Sequence, residues 1–248
     1  MNALTVEGLT KTYPSFTLNN VSFSLERGRI MGLIGKNGAG KSTTLKSILN
    51  LVSPDRGKIE LLGMPFPQRE EECKQKTGVV LGGIDFFQHK RLETITAVTR
   101  RFYRTWDQGA YERYLKEFDL DPRKRVKELS AGMRVKYLVA LALSHGAELF
   151  LFDEPTSGLD PVSRDELLEL FQALVKDGTR SILYSTHITS DLEKCADDIT
   201  YIKDGRVLAS EEKSTFLQSF QHLRTPEDTA PLTLEDIMVR TERRTFHV

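Results

Sequence analysis

The chain of 248 residues has only two cysteines, Cys73 and Cys195, and a single tryptophan, Trp106. The cysteines stand far apart and without metal-ligand spacing. That argues against a disulfide-stapled scaffold or a zinc module and predicts two reduced, inert thiols, as in the cytosol. An excess of either charge is also missing, with 35 Lys+Arg against 35 Asp+Glu. Nucleic-acid binders carry a basic surplus or a dense basic face, so no nucleic-acid partner is expected. No apolar run approaches the roughly 18–20 residues that span a bilayer; the run ending at Phe152 is of strand length. Met1–Thr10 includes Glu7 and no sustained apolar stretch, so no secretory leader is expected. If the chain serves a membrane, it does so by docking. At 39% hydrophobic and 28% charged residues the composition is that of a folded protein, long enough for one large domain or a domain with a subdomain.

What is present has a clear rhythm. Val21–Leu25 alternates apolar and polar residues with period two, Glu26-Arg27-Gly28 reads as a turn, and Ile30–Ile34 suits a buried parallel strand. A glycine-rich loop follows, then a helix carrying Leu45, Ile48 and Leu49 that stops near Ser53–Gly57. From about Glu70 to Ser130 the chain is charged, rich in long side chains and read as mainly helical, an inserted subdomain. Within it Tyr111, Tyr114, Leu115 and Phe118 share one helix face, with Asp107 as the cap. Strands and helices then alternate again: a strand through Phe150–Phe152, a helix opened by a Ser163/Glu166 capping box ahead of Leu167, Leu170, Phe171 and Leu174, and a strand at Ser181–Ser185. A turn at Lys203–Arg206 joins Ile199–Ile202 to Val207–Ala209. The polar end after Glu211, with Pro226 and Pro231, offers one short helix near Leu234–Val239. This order predicts an α/β fold, a largely parallel sheet covered by helices on both faces.

Two segments carry chemistry. Gly35-Lys36-Asn37-Gly38-Ala39-Gly40-Lys41-Ser42 matches GxxxxGK[ST], a loop whose glycines let successive N–H groups turn toward a phosphate. The helix behind it presents its positive end to the same anion. Lys41 supplies a charge to the β and γ phosphates, and the Ser42 hydroxyl can ligate Mg²⁺. Leu149-Phe150-Leu151-Phe152-Asp153-Glu154 is a buried strand that ends in two acids at the sheet edge where ligands bind. Asp153 suits the Mg²⁺ shell, and Glu154 suits a base that orients or deprotonates the attacking water.

With these segments in place, the chain resembles the ABC ATPase family over roughly residues 3–210. Leu129-Ser130-Ala131-Gly132-Met133 resembles the LSGGQ signature, Ser157-Gly158-Leu159-Asp160 the D-loop, and Ser185-Thr186-His187 the switch region. The resemblance implies a P-loop NTPase core with a mostly parallel sheet, an N-terminal antiparallel β-subdomain and an inserted α-helical subdomain at about 86–135. It implies a cassette over 1–220 and a short tail over 221–248. It implies ATP and Mg²⁺ as cofactors, with Gly35, Asn37, Gly38, Gly40, Lys41, Ser42 and Thr43 on the phosphates and Tyr13 stacked on adenine. Glu154 and His187 are then catalytic, Ser42 and Asp153 hold the metal, and Ser130, Gly132 and Asp160 complete a nucleotide site across a dimer. The partners implied are a second cassette closed by ATP and a separate integral-membrane subunit. The chain would hydrolyse ATP to ADP and phosphate as the peripheral, cytoplasmic engine of a bacterial exporter for antibiotics, peptides or lipids.

The chain departs from the family pattern at one point. Gly82 stands where the family carries a glutamine facing Mg²⁺ and the membrane partner, with Asp85 and Gln88 nearby. Either hydrolysis is slower or a neighbour fills the position. Two other readings remain at this point, a non-transport ABC-type ATPase and a nucleotide-dependent regulatory module. There is no room for the long coiled coil of the repair type and no second cassette of the ribosome-acting type, while the retained Glu154 and His187 argue against a module without turnover.

Overall fold

In the computed structural model, which describes residues 1–81 and 87–243, the chain begins as a hairpin of β1 (Asn2–Tyr13) and β2 (Phe16–Glu26). Pro14 and Ser15 form the two-residue turn, and this sets Tyr13 opposite Phe16. Next come β3 (Ile30–Ile34), α1 (Lys41–Ile48), β4 (Arg56–Leu61), β5 (Met64–Phe66), α2 (Glu70–Gln75) and β6 (Thr77–Leu81). The helical insertion holds α3 (Leu92–Thr99), α4 (Gln108–Glu117) and α5 (Ala131–Ser144). The chain then runs through β7 (Leu149–Asp153), α6 (Pro161–Val175), β8 (Ser181–Ser185), α7 (Thr189–Cys195), β9 (Asp198–Lys203), β10 (Arg206–Glu212), α8 (Lys213–Ser219) and α9 (Leu234–Glu242).

Two sheets result. One is antiparallel, in the order β2-β1-β4-β5; the other runs β10-β9-β3-β8-β7-β6. In the second, β9, β3, β8, β7 and β6 are parallel and β10 is an antiparallel edge. Its strands are apolar on both sides because both faces are covered. Phe150, Phe152, Ile182 and Tyr184 face a core built with α5, α6, α7 and α9. Leu149, Leu151 and Leu183 face the opposite core, made with α1 and the antiparallel sheet. On the first face Phe171 of α6 is fully buried, its ring 4.6 Å from Phe152 and 5.7 Å from Tyr184.

The fold class is as the sequence predicts, and several local readings are refined. The strand predicted at Ser181–Ser185 forms over those residues. Asp107 caps α4, its side chain accepting from the Ala110 N–H at 2.9 Å. Of the face predicted there, Tyr111 and Leu115 enter the insertion's own core, while Tyr114 packs against the sheet core. The Tyr111 and Tyr137 hydroxyls meet Thr96 Oγ1 at 2.8 and 2.9 Å, which joins α3, α4 and α5.

Two readings are refined. The stretch read as mainly helical from Glu70 also contains β6, an edge strand of the main sheet paired with β7 from Thr77 to Leu81. Helix α6 starts three residues before the predicted Ser163 box: Asp160 is the cap and Pro161 the first helical residue, a position where proline's fixed φ and missing N–H cost nothing. The short helix predicted near Leu234–Val239 forms as the start of α9. Leu232, Leu234 and Ile237 are buried in the sheet core, and Thr233 and Asp236 form a capping box on α9. Gly82, Asp85 and Phe86 lie outside the described residues.

Candidate active site

The phosphate loop is the turn between β3 and α1. Two of its glycines are required by geometry. Gly35 has φ +149° and a side chain there would put Cβ 2.2 Å from the Ile202 carbonyl oxygen. Gly40 has φ +118°, and its Cβ would meet Leu18 Cδ1 at 2.8 Å and Phe16 Cζ at 3.1 Å. The loop is tied to the β9–β10 turn, where the Gly205 N–H donates to the Ala39 carbonyl at 3.0 Å. No side chain caps α1 and its first turn holds no acid, so its leading N–H groups face the loop without a protein anion.

Lys41 is only 6% exposed. Its ammonium donates to the Gly35 carbonyl at 2.6 Å and the Lys36 carbonyl at 3.3 Å. Burial pushes its pKa down, against the opposing pull of Glu154 and Asp153. A cavity of roughly 500 Å³ opens above, lined by Ser15, Phe16, Gly38, Lys41, Ser42 and Glu154, with Asn37, Gly40 and Thr43 at its wall. It is of the size that small-molecule sites occupy.

The carboxylates arrive at the same edge because β7 and β8 run parallel in register, Asp153 beside Ser185. Asp153 Oδ1 and Ser185 Oγ are buried and have no hydrogen-bond partner among the described residues. A buried carboxylate oxygen left alone is costly. A cation beside it removes that cost, and Ser42 at the start of α1 offers a hydroxyl from the other side of the site. Among the described residues no group of three His, Cys, Asp or Glu could hold a metal. A carboxylate and a hydroxyl are hard oxygen donors of the kind that Mg²⁺ takes together with phosphate oxygens. Glu154 sits in left-handed backbone at φ +51°, a strained conformation for this residue. Its N–H donates to the Ser185 carbonyl at 2.8 Å, and its Oε2 accepts from Thr186 Oγ1 at 3.4 Å and lies 2.9 Å from His187 Nδ1.

The other predicted residues are placed differently. Tyr13 is 36% exposed and does not line the cavity; Phe16, its hairpin partner, does. Sequence reasoning passed over Phe16, although the Pro14-Ser15 turn was a signal that the two aromatics face each other. Ser130 caps α5, accepting from the Met133 N–H at 3.2 Å, and Gly132 is buried against Ser163. Neither lines the cavity of its own chain. Asp160 accepts from the Val162 and Ser163 N–H groups, both at 3.1 Å, and its bonds to Ser163 hold it below the ordinary carboxylate range. Both cysteines are buried and free, and burial pushes the Cys195 thiol up to about 12.

Comparison with known proteins agrees with this geometry. The sequence model of the family described as "ABC transporter" matches residues 18–157, a span that includes the phosphate loop, Ser130 and both acids. The bacitracin transport ATP-binding protein BcrA of Bacillus licheniformis is 31% identical over 203 residues, 81% of this chain and 66% of that protein. The Nod factor export ATP-binding protein I of Burkholderia lata is 34% identical over 207 residues, 82% of this chain and 68% of that protein. The chain thus spans about two thirds of the length of these curated relatives. A solved structure described as the ATP binding subunit of an ABC transporter superposes with a TM-score of 0.83 at 29% identity, covering 97% of this chain and 100% of that one. The match to more than half of the sequence and the near-complete structural overlap lead to one conclusion: this chain belongs to the ABC transporter family.

Proposed function

We propose that the chain binds ATP with Mg²⁺ in the cavity above Lys41 and hydrolyses it to drive a separate integral-membrane subunit that exports its cargo. The observation that carries this reading is the convergence of Lys41, Ser42 and Glu154 on one cavity, with the charge of Asp153 acting on Lys41 and its buried Oδ1 without a partner among the described residues. The loop N–H groups and Lys41 hold the phosphates. Ser42 and Asp153 would hold the metal, which would supply positive charge against the phosphates. Glu154 accepts a proton from, or orients, the attacking water, and His187 orients Glu154 and meets the γ-phosphate. Phe16, with Tyr13 at the rim, gives adenine an aromatic face. Ser130, Gly132 and Asp160 serve the cavity of a second copy, consistent with Ser130 and Gly132 standing away from their own.

Lys41→Ala deletes a charge-assisted contact in a desolvated site. ATP affinity is expected to fall roughly tenfold or more, at about 1.4 kcal/mol per tenfold, and phosphate release with it. Unchanged affinity by titration calorimetry removes Lys41 from the phosphate site.

No helix among the described residues is long and apolar enough to cross a membrane, and this reading assigns the membrane passage to a separate subunit. The export-related name of the Burkholderia relative supports an exporter, with this chain peripheral on the inner face of the membrane. The docking surface is the start of the helical insertion, where Phe87 and Phe102 are 60% and 70% exposed and Val98 stands out from α3. Large exposed apolar residues are enriched at interfaces. Tyr103 and Trp106 from the same stretch are held internally, Tyr103 stacked on His145 and Trp106 against Tyr111. A photo-cross-linker at Phe102 is expected to capture an integral-membrane protein in native membranes. Capture of none places the partner elsewhere.

A further inference from the structure

A buried carboxylate that takes no part in the chemistry above lies beneath the Glu154–His187 contact. Asp191, in the first turn of α7, is 2% exposed. Its Oδ2 accepts from Thr156 Oγ1 at 2.7 Å and from the Tyr184 hydroxyl at 2.9 Å, and these two hydroxyls lie 2.6 Å apart. Thr156 and Tyr184 are themselves fully buried. Burial holds the Tyr184 phenol well above its ordinary pKa, so it remains a hydrogen-bond donor. On the other side Arg164 Nε, without a hydrogen-bond partner among the described residues, lies 4.0 Å from Asp191 Oδ1. One carboxylate therefore touches four segments: the loop two residues after Glu154, β8 three residues before His187, α7 four residues after His187, and α6 four residues after Asp160.

The contact above it is weakly held on its own. The side chains of His187 and Glu154 are 46% and 24% exposed, and polar pairs open to water contribute little. Glu154 is moreover kept in a left-handed conformation that persists only where the surroundings over-determine it. The Glu154 N–H bond to the Ser185 carbonyl links the two loops at the strand ends, and the buried oxygen shared by Thr156 and Tyr184 adds a second link below it.

We propose that Asp191 is a positioning residue, which sets the Glu154–His187 geometry by gathering the Thr156 and Tyr184 hydroxyls on one buried carboxylate oxygen. The proposal rests on the hydrolytic reading of Glu154. It concerns only how that residue is aimed, so the substitutions act on turnover and leave the phosphate loop alone.

The test is steady-state phosphate release by the full chain with Mg²⁺ and varied ATP, for Asp191→Ala, Asp191→Asn, Thr156→Val and Thr156→Ser. Asp191→Ala and Thr156→Val are expected to lower kcat ten- to a hundredfold, the scale of a misaimed catalytic group, with KM for ATP within about twofold of wild type. Asp191→Asn keeps an acceptor and Thr156→Ser keeps the hydroxyl, so both restore most of kcat. The double variant Asp191→Ala, Thr156→Val falls no further than the worse single variant. The Thr156 pair carries the test alone if Asp191→Ala does not fold. A lowered melting temperature with unchanged kcat, a KM rising in step with the fall in kcat, or additive losses in the double variant overturns Asp191 positioning while the hydrolytic reading stands. Absence of phosphate release by the wild type overturns both.

Discussion

Glu154→Gln is expected to leave ATP bound and to stop turnover. The amide keeps the size of the side chain and an oxygen that can meet Thr186 and His187, the two partners of Glu154 Oε2. It removes the group that takes the proton and one of the two negative charges acting on Lys41. Loss of general-base help typically costs about 10²–10⁴ in rate, and the lifetime of the ATP-bound state lengthens by a similar factor. If Ser130 and Gly132 serve the cavity of a second copy, this variant forms a stable dimer with ATP and a monomer with ADP. Wild type with ATP and Mg²⁺ is then monomeric or only transiently dimeric. Adding Ser130→Arg places a bulky cation at the α5 cap and abolishes the dimer. Light scattering of each variant with each nucleotide, beside phosphate release, checks both parts. An oligomer indifferent to nucleotide, or Glu154→Gln turning over at the wild-type rate, sinks the sandwich and favours the regulatory-module reading.

The second large effect is on stability. Phe171 is fully buried between Phe152 and Tyr184, where removal of the ring leaves a cavity that its two aromatic neighbours cannot collapse around. Phe171→Ala is expected to cost about 3–5 kcal/mol. For a chain of this length each kcal/mol moves Tm by about 2–4 °C, so the shift is roughly 6–20 °C downward. Denaturant unfolding followed by circular dichroism checks it; the midpoint falls while the slope stays unchanged. A loss below about 1 kcal/mol, the scale of a substitution outside the core, would mean that Phe171 does not hold α6 to the sheet. Because β7 and β8 carry Asp153, Glu154 and the residues leading to His187, the same variant links the packing beneath the site to the aim of its acids.

Much of this protein is written locally. The phosphate loop is legible because a left-handed turn between a strand and a helix has few sequence solutions, and Gly35 and Gly40 occupy positions where a Cβ would strike Ile202, Leu18 or Phe16. The Leu149–Phe152 run declares a buried strand because both faces of the sheet are covered, and Asp107 declares the start of α4 because a helix needs an acceptor for its leading N–H groups. The sequence by itself thus determined the α/β rhythm, the phosphate loop and the strand that delivers Asp153 and Glu154. Other features depend on long-range contacts that no local pattern encodes. Thr77–Leu81 lies within a charged, mainly helical stretch; pairing with β7, far along the chain, makes it a strand of the main sheet. Phe16 reaches the cavity only because the first hairpin folds over the phosphate loop, and the helix legible near Leu234–Val239 gains its place only where Leu234 and Ile237 meet the sheet core. Asp191 reads as an ordinary acid at the start of a short helix. Only the tertiary structure buries it against Thr156 and Tyr184, because parallel strands bring to one edge residues that the sequence keeps far apart.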